Sequence, residues 1–132
     1  MGADKAVYRG GSLKNLDPPT SGRASARGEQ YFLFTYDGGE LRIPYDGVNS
    51  LEYGQKAGRR IALAIVVSPL LLLSKKRRHY LTIGFVDEQG QQQAAVFELG
   101  KRTVRSTLAG LEARTGRLVE FENEEARTAA RR

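Results

Sequence analysis

The stretch YFLFTYDGGELRIPY (31–45) decides the fold. Its first six residues are mostly aromatic or apolar, DGG (37–39) is a turn signal, and polar and apolar residues alternate after it. Two short β-prone runs separated by such a turn predict an antiparallel hairpin. Because Pro44 has no backbone N–H, we expect it at an edge, a bulge or a strand end.

Further strands are predicted on both sides of this hairpin. AVY (6–8) is a candidate first strand, and VNSLEYG (48–54) resumes extended structure after the turn at Asp46-Gly47. HYLTIGFV (79–86) alternates again and is followed by a turn and by QQQAAVFEL (91–99). This alternation predicts a second antiparallel hairpin.

One segment has the periodicity of an amphipathic helix. KRTVRSTLAGLEART (101–115) places Val104, Leu108 and Leu111 at i, i+4 and i+7, and Gly116 follows as a stop signal. We therefore expect a helix that docks one face on the strands.

Length and composition fit a single globular domain over 1–132, with a core over 6–120 and a flexible tail over 121–132. The chain has 132 residues, of which 40% are apolar and 27% charged, and these values argue against wholesale disorder. The absence of cysteine excludes disulfides and thiolate metal sites.

A run of strands closed by one helix resembles the pleckstrin-homology and GRAM superfold, and LRIPYDGVNSLEYG (41–54) is similar to a passage of its bacterial members. The resemblance covers about residues 6–120. It implies an α+β fold in which a bent antiparallel sheet or partly open barrel carries one C-terminal helix. The apolar insertion at about 57–78 departs from the minimal domain.

The insertion contains the most apolar run of the chain, IALAIVVSPLLLL (61–73), between two clusters of cations. Seven basic residues and no acidic residue lie between Gln55 and Arg78: Lys56, Arg59, Arg60, Lys75, Lys76, Arg77 and Arg78. Without these seven, 21 − 7 = 14 basic residues face 15 acidic ones. The net charge of +6 therefore resides in the insertion.

The apolar run is too short for a simple transmembrane helix. Thirteen helical residues span about 20 Å, whereas a bilayer core is roughly 30 Å thick. Ser68-Pro69 divides the run, because proline lacks a donor and disfavours helical geometry in the residue before it. Two short helices and a long β-hairpin folded at Ser68-Pro69 both fit the sequence.

Three environments can bury this run: the domain's own core, one leaflet of a membrane, or a second polypeptide. The flanking cations favour the membrane, because Lys and Arg can extend to lipid headgroups whereas a core segment does not need them. We predict a non-catalytic module on an anionic membrane surface. The alternative is a protein-interaction module that self-associates, forming a homo-oligomer, or binds another protein through the same segment.

The predicted contact residues form two sets. Apolar contacts with the membrane or partner are assigned to Ile61, Leu63, Ile65, Val66, Val67, Leu70, Leu71, Leu72 and Leu73. Attraction to anionic headgroups is assigned to Arg59, Arg60, Lys75, Lys76, Arg77 and Arg78.

Other chemistry has little support in the sequence. His79 is the single histidine, and it reads as a strand-end side chain whose cationic neighbours depress its protonation. Because one histidine without cysteine supplies too few ligands for a zinc site, we expect no metal site and no cofactor. The carboxylate pairs Asp87-Glu88 and Glu124-Glu125 read as solvated. There is no phosphate-binding loop or nucleophile elbow, so we expect no enzymatic activity.

Nucleic acid is not the expected partner, because the cations flank aliphatic residues rather than alternate with aromatic ones. MGADKAVY (1–8) has no apolar signal core. We expect a membrane-associated protein on the cytoplasmic face, or in the cell envelope if a leader has been removed.

Overall fold

The computed structural model describes residues 4–55 and 78–131, which form an α+β fold. The strands are β1 (Lys5–Gly11), β2 (Thr20–Ser25), β3 (Tyr31–Tyr36), β4 (Gly39–Pro44), β5 (Val48–Gly54), β6 (His79–Val86), β7 (Gln92–Leu99) and β8 (Glu120–Phe121). The helices are α1 (Lys101–Thr115) and α2 (Glu124–Arg131), and a short 3-10 helix spans Tyr45–Gly47. Residues 57–77 of the expected insertion lie outside the described residues.

The strands form one open sheet with the order β4-β3-β2-β1-β7-β6-β5-β8. Two meanders, β1 to β4 and β5 to β7, are joined by antiparallel pairing of β1 with β7. The short strand β8 runs parallel to β5, so the sheet is mixed rather than purely antiparallel. Within the described residues β4 and β8 do not pair with each other, and the sheet is not closed into a barrel.

The hairpin predicted at 31–45 is confirmed. Tyr36 pairs with Gly39 across the turn, and Phe32 pairs with Ile43. Gly38 adopts a φ of 101°, a conformation that L side chains rarely adopt. Pro44 is the last residue of β4 and lies at the edge of the sheet, as its missing donor predicts.

The second predicted hairpin, β6 and β7, is also confirmed, and its register runs from His79 opposite Leu99 to Val86 opposite Gln92. Its turn is held by Asp87, which we expected to be solvated. The Asp87 carboxylate accepts hydrogen bonds from the Gln93 side chain and from the backbone N–H groups of Gln89 and Gln91. The bond from Gln93, followed by the one from Gln91, lowers the pKa of Asp87 below its ordinary value.

Helix α1 has the bounds that its periodicity predicts. Val104, Leu108 and Leu111 are buried in the apolar core. Gly116 ends the helix in the left-handed conformation, with φ 73°, and its N–H donates to the Glu112 carbonyl. The helix contacts the 3-10 helix, β7 and α2.

In the region where we expected a flexible tail, with a short strand or a frayed helix, the structure has a two-residue strand and a second helix. β8 pairs with β5 at residues 120–121, and α2 follows. The Asn123 side chain accepts the Ala126 N–H and thereby caps α2, and Ala126 and Ala130 pack into the core one turn apart. Alanine at i and i+4 is a weak apolar signal, which explains why the periodicity of this segment is hard to see.

Aromatic rings from both meanders meet at the centre of the core. Phe97 of β7 contacts Tyr8, Phe32 and Phe34, with ring centroids 5.8, 5.6 and 5.1 Å apart. All four side chains are at most 1% exposed. No helix among residues 4–55 and 78–131 is long and apolar enough to cross a membrane.

Two leucines, one in α1 and one in the connection that follows it, offer a matched test of this packing. Leu111 is fully buried, whereas Leu118 is 81% exposed. We expect Leu111→Ala to lower the free energy of unfolding by about 2–5 kcal/mol through the cavity it creates, and Leu118→Ala to change it by no more than about 0.5 kcal/mol. Urea unfolding of both variants measures the difference. Equal effects would show that α1 does not dock as described.

Candidate functional site

The insertion joins two neighbouring strands at one end of the sheet. β5 ends at Gly54, which lies opposite Tyr80 of β6. Just beyond this pair, the Arg78 N–H donates to the Gln55 carbonyl with a distance of 3.0 Å. The 22 residues from 56 to 77 therefore leave and rejoin the domain at adjacent points. We call the described residues Tyr53, Gln55, Arg78 and His79 the insertion base.

Most of the predicted contact residues lie outside the described residues. These are the nine aliphatic side chains from Ile61 to Leu73 and the cations Arg59, Arg60, Lys75, Lys76 and Arg77. The structure places Arg78 alone among the predicted set. Its side chain is 39% exposed and lies at the insertion base.

Arg78 shares a carboxylate with an arginine from the other end of the sequence. Its Nη1 lies 3.0 Å from Glu98 Oε2, while Arg9 places Nε at 3.0 Å and Nη2 at 2.9 Å from Glu98 Oε1. The Glu98 side chain is only 15% exposed, and those of the arginines are 32% and 39% exposed. The three side chains hold one negative and two positive charges, so the group keeps a net positive charge.

Strand pairing brings this group together. Glu98 lies between Tyr80 of β6 and Val7 of β1, on the face of the sheet opposite the core. A register shift between Tyr8 and Gly10 places Arg9 at an irregularity of β1. Sequence reasoning misses both Arg9 and Glu98, because the pairing of β1 with β7 joins residues about ninety positions apart and leaves no local pattern.

A neutral histidine and a phenol occupy the core side of the insertion base. The Tyr53 and His79 rings are stacked, with centroids 6.0 Å apart, and the Tyr53 hydroxyl is hydrogen-bonded to His79 Nδ1. Burial raises the pKa of Tyr53 to about 12, so the phenol keeps its proton.

His79 begins β6, as predicted, and its charged form is disfavoured. Burial lowers the pKa of His79, the cation of Lys101 lowers it further, and the Glu98 carboxylate opposes them. The sequence predicts the direction of this shift but assigns it to the preceding cations. The structure gives burial as the largest cause. The imidazole therefore supports the strand end rather than adding to the positive charge of the base.

The described part of the base has the chemistry of an anion-attracting surface. The half-buried guanidinium of Arg78 shares the Glu98 carboxylate with that of Arg9, which lies beside the base. Guanidinium groups form strong charge-assisted hydrogen bonds with phosphate or carboxylate oxygens. Among residues 4–55 and 78–131, no group of three or more His, Asp or Glu side chains is placed to hold a metal ion.

Comparisons of this chain with protein-family models, with curated proteins and with solved structures find no match.

Since His79 is the only histidine, its substitution gives a clean test of its environment. The folded-state pKa lies below the unfolded value of about 6.5, so the unfolded chain binds the proton first and the stabilisation is lost as the pH falls below about 6.5. We expect wild type to lose more stability than His79→Gln between pH 8 and pH 5. Urea unfolding at several pH values measures this difference, and parallel curves would contradict it.

Proposed function

We propose that this protein is a non-catalytic module that attaches to an anionic membrane surface through residues 61–73 and the cations beside them. The observation that carries the proposal is the hydrogen bond between Arg78 and Gln55, which joins the two ends of the insertion. Because both ends meet at one place, both cation clusters are tethered there too.

Chain length limits how far the cations can be from the insertion base. Arg60 follows Gln55 by five residues, and five residues extend at most about 18 Å. Lys75 precedes Arg78 by only three residues. Chain length therefore keeps both clusters within about 18 Å of the insertion base. Each cation near an anionic leaflet contributes about 1 kcal/mol.

The apolar run adds a second contribution of a different kind. Nine large aliphatic side chains separate the clusters, and burying each stabilises by about 1.5–3 kcal/mol at most. A leaflet can receive these side chains while the flanking cations remain at the headgroups. Electrostatic attraction and apolar burial then act on the same side of the domain.

We also propose that the domain is of the pleckstrin-homology or GRAM type. The support is the passage LRIPYDGVNSLEYG (41–54), which forms the end of β4, the 3-10 helix and β5, together with a run of strands followed by α1. In this proposal the β5–β6 connection is the place where the chain carries its apolar insertion.

Vesicle sedimentation tests the membrane function. We expect binding to vesicles that contain phosphatidylglycerol and little binding to neutral vesicles. Binding should weaken as the salt concentration rises from about 0.1 to about 0.5 M, because ions screen the attraction. Replacing Lys75, Lys76, Arg77 and Arg78 by Gln should remove most of the binding, since about four contributions of 1 kcal/mol are lost.

A matched control removes the same charge elsewhere. Gln replaces four exposed cations of the described chain in this variant: Lys14, Arg42, Arg102 and Arg105. It should bind vesicles more tightly than the first variant. Equal losses would refute a local headgroup role, and a stable dimer that ignores lipid, seen by light scattering, would favour the protein-interaction function.

A further inference from the structure

A concavity adjoins the insertion base on the outer face of the sheet. It has a volume of about 510 Å³ and lies over β1 and β2, with Lys5, Val7, Arg23 and Glu98 in its lining. Glu98 links it directly to the base, because the same carboxylate pairs with Arg78. The concavity therefore shares one carboxylate with the insertion base.

Two cations face each other across this concavity. Lys5 and Arg23 are directly opposite residues of β1 and β2, and both are exposed. Like charges at such positions repel and destabilise a sheet. Arg23 has a partial counter-charge in Asp4, but this contact is long, at 3.6 Å, and both side chains are about half exposed. An anion placed between Lys5 and Arg23 would relieve the repulsion.

The carboxylate in the wall does not reverse the sign of the field. Glu98 is paired with both Arg9 and Arg78, and its side chain is largely buried. Four cations (Lys5, Arg9, Arg23 and Arg78) stand against two carboxylates (Asp4 and Glu98), so these six side chains together carry 4 − 2 = +2. This charge favours an anion over a neutral or cationic ligand.

We propose that the concavity binds a phosphate monoester, with Lys5 and Arg23 as its direct ligands. A phosphate monoester carries up to two negative charges and three acceptor oxygens, which match a guanidinium fork beside a compact ammonium ion. The ester is supplied either by a lipid headgroup or by a soluble molecule. The lipid source rests on the membrane function proposed above, whereas the soluble source does not.

Two probes separate the sources. The first is a pair of vesicles matched in surface charge, one containing phosphatidic acid, a monoester, and the other phosphatidylglycerol, a diester. The second is glycerol 3-phosphate, titrated into the whole protein while amide chemical shifts are recorded. We expect about tenfold tighter binding to the phosphatidic acid vesicles, the gain of one charge-assisted hydrogen bond, and shifts at residues 5–7 and 21–23.

Paired variants assign the effect to these side chains. Lys5→Gln with Arg23→Gln should abolish both the preference for phosphatidic acid and the shifts caused by glycerol 3-phosphate. Arg42→Gln with Arg102→Gln removes the same charge from exposed positions elsewhere and should preserve both. Since all four side chains are exposed, both pairs should remain folded.

Each result decides one of the two proposals. Vesicle binding with neither a preference nor a shift refutes the phosphate site and leaves the membrane function standing. Shifts without any vesicle binding refute the membrane function and support a soluble ester as the ligand. Loss of the preference and the shifts in the control pair also refutes the site, because the effect would then follow total charge.

Discussion

The pairing of β1 with β7 is the interaction on which the rest of the structure depends. Without it, the meanders β1 to β4 and β5 to β7 would lose the hydrogen bonds that make them one sheet. The approach is so close that a side chain at Gly11 would collide with the Ala94 carbonyl. The same pairing brings Tyr8 onto Phe97 on the core face and Arg9 onto Glu98 on the outer face.

Local patterns predicted the elements whose stabilising contacts are close in sequence. The hairpins at 31–45 and 79–99 and the helix at 101–115 follow from period-2 and period-3.6 alternation and from turn glycines. The pairing of β1 with β7 and the parallel pairing of β8 with β5 could not be read in this way. These pairings are set by tertiary packing, and their sequence separation hides them. On the outer face of β6 and β7, Thr82 and Val96 are buried as well. Their burial is also set by tertiary packing and could not be read from local patterns.

The residues of the candidate site also differ in whether local sequence patterns reveal them. Its apolar and cationic residues are visible in the sequence because they are clustered there. Arg9, Lys5 and Arg23 come from strands far from the insertion, and only the sheet brings them to its side. On the outer face of the sheet a partly buried carboxylate, Glu98, orients one guanidinium ion from β1 and one from Arg78, the residue before β6.

The two edges of the sheet have a consequence for copies of the protein gathered at high local density. At β4, Pro44 cannot donate a hydrogen bond, and the exposed pair Arg42–Glu40 would have to be desolvated by an incoming strand. At the other edge, β8 is only two residues long, and Arg117 Nε donates a hydrogen bond to the Val48 carbonyl. Short, charged or proline-bearing edges resist strand addition between molecules. The two edges of the sheet that residues 4–55 and 78–131 form are thereby protected against strand addition between molecules.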